Sequence, residues 1–273
     1  MRLSAVIAVC AAFLLFLLPA AVARADEDDP VPSKCTEIAK ALPNVTYAKF
    51  TPAEADADGE VTITYAGHST YVIDTPAGVR IATDYSGVYG NDPLPRVVTM
   101  NKAHRTHYTP SPDPRIEYVL RGWNPDGGRA RHRLVVDDVY IRNVTTDIRS
   151  PGGGMEKDGN SIFIFEVANL CIGHLGHLHV RLTDAQYAAI GRLDITMVPI
   201  DGGLTLSLDA MSEITNRLHS SMVLPMHRQS TPIGEFTARM GKGYSVDFRA
   251  DRSLKISART LPSQPTIVVL DGV

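Results

Sequence analysis

The chain has 273 residues, of which 44% are hydrophobic and 21% charged, a composition that excludes disordered, collagen-like and coiled-coil proteins. Its 27 lysines and arginines are balanced by 30 aspartates and glutamates, and the basic residues form no block that would indicate a nucleic-acid partner. The resulting formal charge is −3. This length suits one large domain or two small ones, with enough residues for a substantial hydrophobic core.

The N-terminus has the three-part layout of a secretory signal peptide over residues 1–25. A positive start is followed by an apolar run over 5–22, a small-residue cleavage pattern at 23–25 and then an acidic stretch. An uncleaved membrane anchor is the alternative, because the apolar run is close to the length that spans a bilayer. We expect cleavage after Ala25, which predicts a periplasmic or secreted protein without further membrane contact.

Cleavage would leave two cysteines, Cys35 and Cys171. An oxidising compartment allows them to pair, whereas the apolar neighbours of Cys171 equally favour a buried free thiol. Residues 26–60 are rich in proline, alanine and aspartate and are interpreted as an N-terminal arm, with one short helix over 33–42 that Ser33 would cap. The compact domain is expected to cover residues 61–273.

Alternating apolar residues predict a first strand over 61–65. Two further strands, over 70–74 and 79–83, are separated by Thr75-Pro76-Ala77-Gly78, and this turn composition predicts a hairpin. A short echo of the same hairpin pattern runs from Gly159 to Ile172. The echo predicts two related sheets, one built from each half of the chain.

The second half of the chain alternates strands with helices. Thr183 and Gln186 form a capping-box pattern that predicts a helix ending near Gly191. The elements expected after it are a buried strand over 194–200, an amphipathic helix over 207–218, a strand over 222–226 and short strands over 244–269. This combination predicts a β-sandwich with helices outside.

Seven of the nine histidines lie at or just after the ends of predicted strands: His68, His104, His107, His174, His177, His179 and His227. Strand ends are where a rigid scaffold presents functional groups. Neutral imidazole is also the commonest transition-metal ligand. The pattern therefore predicts that imidazoles from distant parts of the chain meet around one point in the folded domain.

In the order and spacing of these segments, residues 61–270 resemble the metallo-β-lactamase superfamily. The motifs are Gly-His-Ser-Thr at 67–70, Thr83-Asp84, the histidine loop at 102–107, the turn at 174–177 and Pro-Met-His at 225–227. The sequence looks most like the branch of L-ascorbate-6-phosphate lactonase-like and N-acyl-phosphatidylethanolamine phospholipase-like hydrolases. The resemblance implies an α+β fold, a four-layer αββα sandwich, and a metal-dependent hydrolase.

The histidine loop departs from the His-x-His-x-Asp-His pattern of that family. Lys102 stands at its first histidine and Thr106 at its aspartate, while His177 stands at the usual bridging aspartate. A further family histidine falls on Ile148. Because a two-metal site needs carboxylates to bridge its ions, we expect a single divalent ion.

The resemblance also supplies the expected ligands. His104, His107 and His227 carry over directly, and His177 occupies a ligand position with a changed residue type. Either His107, His177 and His227 bind the ion and leave a position open for water, or His104 closes the site as a fourth ligand. An all-imidazole site favours zinc, with copper, nickel and iron as alternatives.

The usual place holds no carboxylate base, so His104, His174 or Asp201 would take or relay a proton. Lys102 would either stabilise developing negative charge or be a solvated surface lysine.

Two more residues each have two interpretations. Asp84 would orient a ligand histidine or serve as a turn residue. His68 would be a buried histidine bonded to the backbone, or it would hydrogen-bond to a metal ligand without binding the metal itself.

Three hypotheses follow from this site. The first is an exported one-metal hydrolase acting on a small-molecule ester, lactone or phosphodiester. The second is a catalytically inactive metal- or ligand-binding module of the same fold, which the loss of two acidic ligands favours. The third is a metal-free fold in which the histidines form a hydrogen-bonded polar network.

Overall fold

The computed structural model describes residues 33–36 and 59–273. In these ranges fourteen strands form two sheets, and three α-helices accompany them. The first half contributes β1 (Val61–Gly67), β2 (Thr70–Asp74), β3 (Arg80–Ala82), β4 (Val97–Met100) and β5 (Tyr118–Arg121). The second half contributes β6 (Arg133–Val136), β7 (Val139–Arg149), β8 (Met155–Val167), β9 (Leu170–His174), α1 (Asp184–Ile190), β10 (Ile195–Pro199), α2 (Leu208–Leu218), β11 (Met222–Met226), α3 (Ile233–Met240), β12 (Ser245–Phe248), β13 (Ser253–Ile256) and β14 (Thr266–Val269).

The strands divide between the sheets largely by halves of the chain. One sheet has the order β13-β1-β2-β3-β4-β5, and the other has the order β12-β14-β11-β10-β9-β8-β7-β6. The hairpin of β2 and β3 lies in the first sheet, and the hairpin of β8 and β9 lies in the second. These are the two copies of the sequence echo, so each copy does belong to a different sheet.

The two sheets face each other across an apolar core. Ile63 and Ile73 from the first sheet and Phe163, Phe165 and Met197 from the second are fully buried in one cluster. Burial of each large apolar side chain contributes roughly 1.5–3 kcal/mol relative to exposure, which makes this interface the main source of stability. The same packing also fixes the positions of the strand ends, from which the loops that carry the histidines begin.

The outer faces of the two sheets are covered differently. On the eight-stranded sheet, Met211 and Ile214 of α2 and Phe236 of α3 pack against strand residues. On the six-stranded sheet, the residues packed over Val98 include Tyr85, which comes from a loop. The architecture is the expected α+β sandwich, but in the part of the chain described here the fourth layer is made of loops.

The helix signals in the sequence have mixed outcomes. The capping box at Thr183 is present, since its hydroxyl accepts from the Gln186 N–H and the Gln186 side chain accepts from the Thr183 N–H. Helix α3 is missed because it begins after Pro232 with no side-chain cap. No helix in the described ranges is long and apolar enough to cross a bilayer.

The described N-terminal segment, residues 33–36, is fastened to the domain. Cys35 and Cys171 form a disulfide, so the free-thiol alternative is wrong. The Ser33 hydroxyl accepts from the Thr36 N–H, as a helix cap does, but the rest of the helix predicted over 33–42 lies outside the described residues. The predicted signal peptide over 1–25 lies outside the described residues as well. Of the predicted arm over 26–60, the structure describes 33–36 and 59–60.

A buried ion pair stands behind this attachment. The Arg142 Nε donates to Glu166 at 2.7 Å, and Glu166 also accepts from the Ser33 hydroxyl and the Lys34 N–H. The other two Arg142 nitrogens donate to carbonyl oxygens at the end of α1. These residues, called the Arg142–Glu166 cluster below, join β7, β8, α1 and the N-terminal segment.

Candidate metal centre

Five histidines meet at one edge of the sandwich: His68, His104, His107, His177 and His227. The ring centres of neighbouring members lie 4.3 to 5.8 Å apart. They come from the segments that follow β1, β4, β9 and β11. The structure thus brings together all four ligands expected from the sequence, and adds His68. These five side chains are called the histidine cluster below.

A buried carboxylate orients His107. The His107 Nδ1 lies 2.6 Å from Asp84 Oδ2, and both side chains are inaccessible to solvent. Burial opposes ionisation of Asp84, yet His174, His107 and a hydrogen bond from Asn101 together hold its pKa below the ordinary value. The ionised carboxylate accepts the Nδ1 proton, which leaves the lone pair of His107 on Nε2.

His227 has the same arrangement. Its Nδ1 lies 2.9 Å from Asp201 Oδ2. Burial again opposes ionisation, but hydrogen bonds from His227, from Gly203 and from the hydroxyl and backbone of Thr205 hold the pKa of Asp201 well below its usual range. Both oxygens of Asp201 are engaged, so this residue orients His227 and is not placed as the proton relay that the sequence analysis considered.

A hydroxyl orients two further imidazoles of the cluster. The Thr106 Oγ1 lies 2.9 Å from His68 Nε2 and 2.7 Å from His104 Nδ1. Because a hydroxyl oxygen has two lone pairs, it can accept from both rings and leave the opposite nitrogen of each ring for a ligand. Burial and then neighbouring imidazoles lower the pKa of His68 to about 3 and that of His104 to about 4, so both rings are neutral at neutral pH.

His177 has an imidazole partner instead of an acidic one. Its Nδ1 lies 3.0 Å from His179 Nε2, and its backbone N–H donates to Asn160 at 2.8 Å. Only 4% of the residue is exposed. Burial, reinforced by the neighbouring imidazoles, places the pKa of His177 far below its usual range.

The free atoms of the cluster test whether a metal fits. Among the described residues, the buried side-chain atoms without a hydrogen-bond partner are His107 Nε2, His177 Nε2, His227 Nε2 and Ser212 Oγ. Each such orphan costs about 1–3 kcal/mol, so three adjacent ones mark a place that is built for a ligand. One nitrogen from each of His68, His104, His107 and His227 lies within 4.8 Å of the others. This donor set fits one imidazole-bound divalent ion.

His68 enters that group of four, where the sequence analysis expected His177. The β1–β2 turn brings it there: its register shifts between Tyr65 and Gly67, and Gly67 and His68 have φ values of +139° and +53°. A Cβ on Gly67 would meet the Tyr89 ring at 2.7 Å, so the position requires glycine. The signal available in the sequence was a Gly-His pair between two strands.

Two candidate residues of the sequence analysis are engaged elsewhere. His174 is buried, with Nε2 donating to the Ser69 carbonyl at 2.8 Å and Nδ1 accepting from the Gly176 N–H. Neither nitrogen remains for proton transfer, so a structural role replaces the catalytic one. Lys102 forms an exposed ion pair with Glu156 at 2.6 Å, which corresponds to the surface alternative.

The family position at Ile148 supplies no ligand, because this apolar side chain is buried within β7.

A family model described as a beta-lactamase superfamily domain matches residues 62–227. A solved structure, a proposed Zn-dependent hydrolase of the metallo-β-lactamase superfamily from Thermotoga maritima, is 25% identical with a TM-score of 0.55, covering 77% of this chain and 98% of that one. A proposed metal-dependent hydrolase from Parabacteroides distasonis is 15% identical with a TM-score of 0.53, over 67% and 90% of the two chains. The metallo-β-lactamase fold protein YhfI from Bacillus subtilis is 8% identical with a TM-score of 0.50, covering 79% of this chain and 98% of that one. None of the curated proteins matches the chain significantly.

Proposed function

Because the chain belongs to the metallo-β-lactamase superfamily, we propose that it is an exported hydrolase that uses one histidine-bound divalent metal, with zinc preferred. The supporting observation is the set of adjacent, buried Nε2 atoms in the histidine cluster that have no hydrogen-bond partner. A divalent ion held there supplies Lewis-acid polarisation of the scissile group and activation of water.

The chain's own residues hold the ion and fix its ligands. His107 and His227 present Nε2 lone pairs because Asp84 and Asp201 keep the protons on the Nδ1 atoms. His68 and His104 are neutral and are oriented by Thr106. A single ion is proposed because the carboxylates beside the cluster are already committed to imidazoles and cannot bridge a second one.

The proposed substrate is a small ester, lactone or phosphodiester. The description of the similar Thermotoga maritima protein as a proposed Zn-dependent hydrolase supports a hydrolytic reaction. Of the three proton carriers considered from the sequence, His104 is left, since His174 and Asp201 are fully hydrogen-bonded. In that role His104 does not bind the ion, which is then held by His68, His107 and His227. His104 is the exposed member of the cluster and can therefore exchange a proton with solvent.

Export is proposed from the signal-peptide layout at residues 1–25. The disulfide between Cys35 and Cys171 supports it, because disulfides persist in oxidising compartments and are rare in the cytosol.

Metal stoichiometry, measured on protein purified without a histidine tag, tests the proposal. We expect one ion per chain, lost in His227→Ala, and chelator-sensitive turnover on a panel of esters, lactones and phosphodiesters. Wild-type protein that binds no divalent ion would contradict the proposal. A bound ion without any turnover would favour the second candidate, an inactive metal-binding module, which the engagement of both nearby carboxylates also supports.

A further inference from the structure

We infer that His177 is an N–H donor within the histidine cluster and is not a ligand of the metal. The role of this donor beside a metal and its substrate rests on the proposed function, but the position of the proton follows from the hydrogen bonds alone. His177 stands where the metallo-β-lactamase pattern has an aspartate that binds the metal. The aspartate would accept, whereas His177 would donate a hydrogen bond.

The tautomer of His177 depends on that of its neighbour His179. The backbone N–H of Arg149 donates to His179 Nδ1 at 2.8 Å. A backbone amide nitrogen can only donate, so His179 Nδ1 carries a lone pair. The proton of the His179 ring is therefore on Nε2, which lies 2.7 Å from the Leu204 carbonyl oxygen, an atom that can only accept.

The same Nε2–H also faces His177. Its distance to His177 Nδ1 is 3.0 Å. A ring nitrogen that carries a proton has no lone pair in the ring plane and cannot accept. A proton on His177 Nδ1 would set two N–H groups against each other, so Nδ1 accepts and the His177 proton sits on Nε2.

The other two buried rings have the opposite tautomer. His107 and His227 direct Nδ1 at carboxylates, which accept protons and leave both Nε2 atoms as lone pairs. The three buried rings of the cluster therefore combine two lone pairs with one N–H. A metal binds the deprotonated nitrogen, so the first two rings are ligands and His177 is not. The group of four nitrogens that lie within 4.8 Å of one another also omits His177.

The environment of His179 is fixed by one residue. The Arg149 backbone holds the ring of His179, while its guanidinium donates to the carbonyls of Gly203 and Leu204 at 2.9 and 2.6 Å. Arg149 thereby fixes both hydrogen-bond partners of His179, the backbone N–H that donates to Nδ1 and the Leu204 carbonyl that accepts from Nε2. The tautomer of His177 is set by this chain of contacts before any ligand binds.

This arrangement gives His177 a function. The centre of its ring lies 4.7 Å from that of His107 and 4.9 Å from that of His227, so its ring lies beside the rings of both ligands. A donor beside the metal position stabilises negative charge that develops on a substrate oxygen. One such oxyanion donor contributes about 100- to 1,000-fold to the rate in other hydrolases.

Nitrogen-15 spectra of the imidazoles in the metal-free protein test the tautomer directly. We expect His177 to show a protonated Nε2 and an unprotonated Nδ1, with the reverse in His107 and His227. His177→Gln assigns the signals of that ring, and His219→Gln, which changes an exposed residue at the end of α2, is the matched control. A proton found on His177 Nδ1 would overturn the inference.

A zinc titration supplies the second measurement. We expect His177→Gln and His177→Leu to keep one zinc per chain with a Kd within about tenfold of wild type, whereas His107→Ala and His227→Ala weaken binding by more than about 100-fold. The inference would be overturned if zinc binding displaced the proton from His177 Nε2. It would also be overturned if His177→Gln lost as much zinc affinity as His227→Ala. If wild-type protein binds no zinc, the proposed function fails, and the spectra still decide the tautomer.

Discussion

Two buried polar clusters, the Arg142–Glu166 cluster and the histidine cluster, use hydrogen-bonding capacity in opposite ways. In the Arg142–Glu166 cluster the guanidinium donates to a carboxylate and two carbonyl oxygens, and the carboxylate has further donors. In the histidine cluster three buried ring nitrogens have no partner. The saturated cluster holds elements together, whereas the unsaturated one gives up stability and keeps its capacity for a ligand.

The largest expected effect breaks the saturated cluster. Arg142→Met leaves Glu166 buried without its cation, and we expect the free energy of unfolding to fall by about 3–5 kcal/mol. Urea denaturation measures this change. Zinc affinity of the folded variant should stay at the wild-type value, since Arg142 is outside the histidine cluster.

A matched control is Arg133→Met, which changes an exposed arginine on β6 and should alter stability by less than about 0.5 kcal/mol. Equal stability of the two variants would remove the contrast between the clusters.

An intermediate effect is expected from the carboxylates behind the ligands. Asp201→Asn keeps the shape of the side chain but lets its amide donate, so His227 loses the acceptor that fixes its tautomer. We expect a 10- to 100-fold weaker zinc Kd, about 1.4–2.7 kcal/mol. Competition with a chelating dye measures it, and Asp126→Asn in an exposed turn is the control. Unchanged affinity would show that Asp201 does not support a ligand.

The last expected effect is a pH dependence of the metal-free protein. The pKa of His68 is about 3 and that of His104 about 4, while unfolded histidines titrate near 6.5. The unfolded chain therefore binds more protons between these values, so the free energy of unfolding falls as pH drops from about 6.5 to about 4. Urea midpoints at several pH values measure the slope. A flat profile through this window would mean that the imidazoles are not buried as neutral groups.

The sequence predicted much of this site because strand order constrains where loops meet. His107 and His227 follow buried strands in opposite sheets, and the ends of those strands converge in the sandwich. The place of His68 in the ligand group could not be predicted, because it depends on a left-handed backbone at the β1–β2 turn. The role of His174 was equally hidden, since its partner Ser69 is 105 residues away in the chain.

The fold shows the same division between local and distant information. Periodicity and a capping box were enough for α1, α2 and the buried strands. Helix α3 lacked a cap, and the loop layer over the six-stranded sheet has no period to detect, since it is held by contacts such as Tyr85 packing near Val98. Local signals thus specified the elements, while tertiary contacts decided what covers them.

The disulfide at Cys35 has a consequence for handling the protein. It joins two points separated by 136 positions in the chain. If a protease cuts the backbone once between Cys35 and Cys171, the two fragments stay covalently linked and run as a single band on a gel without reductant. Intact and nicked protein become distinguishable by size once thiol is added.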